Sequence, residues 1–290
     1  MNILFMGSGD FALPILKKLY QKHTICAVYT APFNQEKTRK NVVNEVEIFA
    51  TQNSLILHKE QKITTEVIET IKKYEPDIIV VASYGFLLPS ELLQIGKIHK
   101  PINIHPSLLP KWRGAAPIER AIENGDKETA ICLMKMVQKM DAGDILLQQN
   151  IQIDDKINAI ELRQKTAEIG AEMLLQWLEN RTNGMEQIGD ITFAKKIDKT
   201  ELQLDFSESA LKNYNKIRAF VGSGGCWFLY KNERIKILES EYIFDKIEIP
   251  NFIDIKNKKI HCIDGFIVPV IMQREGKKIM SANDIFNGLK

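Results

Sequence analysis

The chain has 290 residues and a formal net charge of +2, enough for two modest domains or one large one, and too neutral to demand or exclude a nucleic-acid partner without local basic patches. Cys26, Cys132, Cys226 and Cys262 are scattered without C-x-x-C spacing, which favours buried thiols in a reducing compartment over disulfides or a metal site. No apolar run approaches the roughly 18 residues of a membrane span, and the start, Met1 to Gly7, enters a strand pattern without a basic leader, so a cytoplasmic protein with no membrane partner is expected.

In chain order, apolar runs over 3–6, 25–29, 78–82 and 102–104 have the unbroken character of strands buried on both faces, and amphipathic stretches over 11–20, 42–52 and 63–73 separate them. This alternation predicts an α/β, Rossmann-like, doubly wound and mostly parallel sheet. A helix is expected over 113–124, with Pro117 tolerable only in its first turn, then strands over 130–137 and 145–149 and a helix over 158–178. Mixed polar sequence follows. A first domain is therefore set at 1–185, a linker at 186–207 and a C-terminal domain at 208–290. That last part reads as one helix over 209–220 and short β runs over 227–230, 234–238, 259–263 and 266–272, with Asp264-Gly265 as a hairpin turn and a capped helix after Ser281. A small β-barrel of the oligonucleotide-binding (OB-like) sort fits.

Gly7-Ser8-Gly9-Asp10-Phe11-Ala12 satisfies the loose dinucleotide fingerprint, but residues 28–32 offer no carboxylate for a ribose. The glycines are expected to serve a tight turn or another ligand.

The most informative segment is Ile102-Asn103-Ile104-His105-Pro106-Ser107-Leu108-Leu109-Pro110-Lys111-Trp112-Arg113-Gly114. Alternation puts Asn103 and His105 on one face of a strand, and Pro106 keeps His105 out of helical geometry. A carboxamide beside an imidazole can donate to a developing oxyanion and relay a proton, which is acyl-transfer equipment without a Ser or Cys nucleophile. A buried polar pair closing a strand end is the plainer alternative for N-x-H alone.

The run N-I-H-P-S-L-L-P-K-W-R-G resembles the signature of the 10-formyltetrahydrofolate-dependent formyltransferases, and Met140-Asp141-Ala142-Gly143-Asp144 resembles that family's M-D-x-G-D segment. The resemblance implies a catalytic trio of Asn103, His105 and Asp141. It further implies a folate site lined by Ser107, Leu108, Leu109 and Pro110, with Phe86, Leu87 and Leu88 of the preceding loop contributing. It implies no metal. The continuation Arg113-Gly114-Ala115-Ala116-Pro117-Ile118 and the ending Gln273 to Met280 are similar to members acting on methionyl initiator tRNA. This implies a tRNA partner met by Lys37, Arg39, Lys40, Arg113, Lys277 and Lys278, and a monomeric enzyme of translation initiation. The 31–40 loop is less basic and less rich in Gly and Pro than the family pattern, and Val221 to Gly225 stands where the family has P-W-P-G. A formyltransferase acting on an amino sugar nucleotide would share the trio; a noncatalytic RNA-binding module would share only the basic patches.

Overall fold

A computed structural model describes residues 1–32 and 44–289. Lys37, Arg39 and Lys40, and the first two residues of the helix expected over 42–52, lie outside the described residues. The chain divides into two compact units: residues 1–115, 128–151 and 163–193 form the first, and 116–127, 152–162 and 194–290 the second.

In chain order the elements are β1 (Asn2–Gly7), α1 (Gly9–Lys22), β2 (Thr24–Tyr29), α2 (Glu45–Gln52), β3 (Leu57–His58), α3 (Thr65–Lys73), β4 (Ile78–Ala82) and β5 (Ile102–His105). They continue with β6 (Arg113–Gly114), α4 (Pro117–Asn124), β7 (Glu128–Lys135), β8 (Ile145–Gln152), α5 (Ala159–Asn180) and β9 (Phe193–Ala194). The remainder comprises α6 (Ala210–Phe220), β10 (Cys226–Tyr230), β11 (Glu233–Phe244), β12 (Phe252–Asp254), β13 (Lys259–His261), β14 (Gly265–Arg274), β15 (Ile279–Ser281) and α7 (Ala282–Asn287).

The first unit is a seven-stranded sheet in the order β3-β2-β1-β4-β5-β7-β8, parallel from β3 to β5, with β7 antiparallel to β5. Ile3, Leu4, Phe5 and Met6 in β1 and all of β4 are buried, as strands covered on both faces require. Strand order reverses between β1 and β4, so the carboxyl ends of the strands there form the ligand-binding edge of such sheets.

The glycine loop after β1 is closed by the protein's own polar groups. Ser8 Oγ lies 3.0 Å from Thr30 Oγ1 and accepts from the Ala31 N–H at 2.9 Å, while Asn44 Nδ2 donates to Thr30 Oγ1 at 2.6 Å. Thr30, at the end of β2, stands where a ribose-binding carboxylate would be needed, and its hydroxyl is already engaged.

Two boundaries differ from expectation for local reasons. The helix expected from 113 starts at Pro117, because a proline disfavours helical geometry in the residue before it and is welcome at the first helical position. Arg113 and Gly114 are extended instead. The helix expected from 63 is capped by Thr64, whose side chain accepts from the Val67 N–H.

The second unit carries an antiparallel sheet, β10-β11-β14-β13-β12 with β15 on β14, curled as a half-barrel. Register shifts around Glu239 in β11 supply the bulges that let long strands coil. Ile235, Ile237, Ile267 and Met272 point inward with Phe220 of α6. The same unit buries Arg218, which donates to the Asp154 and Ile157 carbonyls at 3.1 and 2.8 Å. Strands β12 and β15 were not expected; at three residues each they are too short to show alternation.

Candidate active site

β5 ends on Asn103-Ile104-His105. Ile104 and Ile131 turn toward Gly170 of α5, where a Cβ would come within 2.9 Å of Ile104 and 3.1 Å of Ile131, so only glycine admits the close approach. Asn103 and His105 therefore share the other face, and their antiparallel partners are Met134 and Cys132. Asn103 is half-buried, and its carboxamide has no hydrogen-bond partner among the described residues. His105 is buried.

The loop after Pro106 is tied to itself. The Ser107 N–H donates to the His105 carbonyl at 3.0 Å, Ser107 Oγ donates to the Lys111 carbonyl at 2.8 Å, and Cys132 Sγ donates to the Ser107 carbonyl at 3.1 Å. The Leu109–Pro110 peptide is cis. Trp112 has φ of 61°, and its carbonyl lies 3.1 Å from His105 Nε2. A carbonyl can only accept, so Nε2 carries the hydrogen and Nδ1 is the nitrogen turned toward Asp141, with Nδ1 to Oδ2 at 3.8 Å.

Asp141 arrives on the turn between β7 and β8, with φ of 49°. Its Oδ2 accepts from the Gly114 N–H at 2.8 Å. Gly143 in the same turn packs so closely on Lys135 that a Cβ would collide with the Lys135 carbonyl oxygen. Asp144 lies 2.9 Å from Lys135 Nζ and holds the base of the turn.

Of the expected trio, His105 and Asp141 come together from 36 positions apart, and Asn103 lies two residues before His105 on the same strand. The other expected site residues divide. Ser107, Leu109 and Pro110 are buried against protein and build the loop, Leu109 packing with Ala130, Cys132 and Met134, while Leu108 is half-buried. Leu88 is in the core with Tyr84, Phe86 packs partly on that core, and Leu87 is exposed. Arg113, expected to meet the tRNA, is buried, and its Nε and Nη2 donate to Gln187 Oε1 at 3.1 and 2.7 Å. Lys277 and Lys278 are exposed in the β14–β15 turn of the second unit.

Sequence reading missed Gln187 and Thr192. Gln187 Nε2 donates to the Asp141 and Gly143 carbonyls, both at 2.8 Å. Thr192 Oγ1 accepts from the Trp112 N–H at 2.9 Å, and its carbonyl accepts from the Arg113 N–H at 3.0 Å. Both lie in mixed polar sequence that carries no periodic or motif signal. Burial pushes the thiol of Cys132, beneath His105, up to about 12, so it is no nucleophile. Among the described residues no cluster of three or more His, Cys, Asp or Glu could hold a metal, and no helix is long and apolar enough to cross a membrane.

Comparison with known proteins extends over the whole chain. The formyl transferase family matches residues 1–178, and the formyl transferase C-terminal domain matches 196–290. A methionyl-tRNA formyltransferase of Caldicellulosiruptor saccharolyticus is 38% identical over 309 aligned positions, which cover all of this chain and 97% of that protein. Among solved structures, methionyl-tRNA formyltransferase from Clostridium thermocellum aligns with a TM-score of 0.60 and 19% identity over 83% of this chain and 93% of that one. WlaRD, described as a sugar 3N-formyl transferase, aligns at 0.65 and 19% identity, covering 96% of this chain and 99% of its own. Below 25% identity these two likenesses speak for fold alone.

Proposed function

This chain belongs to the formyl transferase family, and from that premise we propose that it moves the formyl group of 10-formyltetrahydrofolate to the α-amine of methionyl initiator tRNA. The observation that carries the chemistry is His105 facing Asp141 at 3.8 Å, at the end of the strand that also bears Asn103, with no nucleophilic side chain among the three. The acceptor rests on the full-length relative at 38% identity.

A free α-amine has a pKa of about 7.7–8.0, and esterification of the carboxylate lowers it, so the neutral amine is available near pH 7. The enzyme's task is alignment, charge stabilisation and proton movement. The amine nitrogen attacks the formyl carbon; a C–N bond forms and the carbonyl electrons pass to oxygen. Asn103, the uncommitted donor of the pair, stabilises that oxyanion. The attacking nitrogen then sheds a proton to His105 Nδ1. Asp141 favours the resulting imidazolium, whose Nε2–H stays on the Trp112 carbonyl. Collapse breaks the bond between the formyl carbon and N10 of the folate, and the proton passes to N10. Nothing is oxidised or reduced.

Of the expected folate-site residues, half-buried Leu108 and Phe86 and the exposed Leu87 are the apolar side chains still open to a folate ring. Lys277 and Lys278 suit phosphate contacts from the second unit, as would Lys37, Arg39 and Lys40. The reading carries with it a cytoplasmic, monomeric enzyme. One rival, which would share the trio, is an amino sugar nucleotide acceptor. The test offers methionyl initiator tRNA and UDP-4-amino-4-deoxy-arabinose together with 10-formyltetrahydrofolate. Formyl transfer to the tRNA alone is expected. Transfer to the sugar would overturn the acceptor and keep the chemistry, and silence on both would overturn the reading.

A further inference from the structure

The segment between α5 and β9 holds the catalytic loops from outside. Met185 and Ile145 exchange backbone hydrogen bonds at 2.9 and 2.8 Å, Gln187 reaches two carbonyls of the Asp141 turn, and Thr192 secures the backbone of Pro110, Trp112 and Arg113. Asp141 itself is in the left-handed region, which Asp tolerates in turns, and the carbonyls of its turn are held by Gln187.

We infer that Gln187 is a positioning residue for Asp141, locked in orientation by the buried Arg113. This rests on the reading of Asn103, His105 and Asp141 as the reacting site. The lock follows from donor and acceptor chemistry. Gln187 Oε1 receives both Arg113 donors, and Nε2 places its two hydrogens on the Asp141 and Gly143 carbonyls. Rotating the amide would set its NH2 against the guanidinium and its oxygen against two carbonyls, so every partner rejects the flip. The chain of contact runs Arg113, Gln187, Asp141, and then Asp141 Oδ2 to the Gly114 N–H and His105 Nδ1. Arg113 and Gly114 are adjacent, so one short stretch grips the Asp141 loop at its backbone through Gln187 and at its carboxylate directly.

Gln187→Glu tests this in the full-length protein. It keeps an oxygen for Arg113, so the buried guanidinium stays paired and the fold holds, but turns carboxylate oxygen toward the two loop carbonyls. Two readouts are taken on the same variant: hydrogen exchange at the Gly114 amide, and single-turnover formyl transfer with excess enzyme. The Gly114 amide is expected to exchange on the order of 10-fold faster as Asp141 Oδ2 leaves it. The rate at saturation is expected to fall by about 10- to 100-fold with KM for both substrates within about two-fold, as for misplacement of a catalytic group without loss of binding. In an Asp141→Asn background the same substitution is expected to change the rate by less than about three-fold, because the two act as one unit.

Unchanged Gly114 exchange, or an equal loss of rate in both backgrounds, overturns the inference. A parent protein that forms no formylated product overturns the functional reading instead, and the Gly114 amide still judges the brace.

Discussion

The parallel sheet of the first unit and the antiparallel sheet of the second treat polar side chains in opposite ways. β4 is buried at every position and β5 at all but Asn103, whereas β11 alternates buried and open residues along most of its length. A strand covered on both faces leaves few places for polar groups, and at the carboxyl end of β5 His105 is received by the Trp112 carbonyl and faces Asp141. A sheet with one wet face admits polar and cationic residues all along its strands. A polar residue is therefore a strong functional signal in the first unit and a weak one in the second.

The sharpest test of this contrast is loss of the polar strand-end pair. Asn103→Ala and His105→Ala should each lower turnover by about 10²–10³-fold, in line with removal of one stabilising donor, and leave the circular dichroism spectrum unchanged. Near-parental turnover by either variant would mean that the pair only closes a strand. Next in size is the difference in what burial is worth. Ile104→Ala, on the covered face of β5, should cost about 2–5 kcal/mol in urea unfolding. Leu229→Ala, exposed on β10, should stay within about 0.5 kcal/mol. Equal losses would erase the distinction between the two sheets.

A smaller effect probes the wet surface. Neutralising Lys277 and Lys278 should flatten the salt dependence of tRNA affinity by about one unit of slope per lysine and leave the rate at saturating tRNA in place. An unchanged slope would remove this turn from the interface. The smallest expected effect is none at all, and it is shared by both units. Burial pushes the thiols of Cys132, Cys226 and Cys262 up to about 12 and that of Cys26 to about 11. A raised thiol pKa keeps the neutral form well above pH 8, so iodoacetamide should label none of the four in the folded protein at that pH and all four in urea. Labelling confined to one unit would show that its interior opens on the timescale of the reaction.

What could be read from the residues alone follows from local physics. Unbroken apolar runs of four or five residues with amphipathic stretches between them point to buried parallel strands, because the runs are too short for helices and alternate with them. Pro106 after an N-x-H triplet specifies a strand end with its polar pair on one face, and Asn103 and His105 are found on that face. The resemblance of two motifs added Asp141. The same physics explains the misses. A two-residue strand such as β3 shows no alternation, and Pro117 shortened a helix that apolar spacing alone would have extended. Arg113 was named only as a tRNA contact implied by resemblance, because a charge in sequence has no address; only the fold placed Gln187 against it.

The sequence by itself determined the layer architecture and the polar pair Asn103 and His105 that ends β5, since periodicity, prolines and side-chain type act over a few residues. Tertiary structure alone decided which distant side chains aim those groups. Gln187 lies 46 positions from Asp141 and 74 from Arg113, and over such separations pairing is set by where the sheet and its loops bring the backbone, which no local pattern encodes.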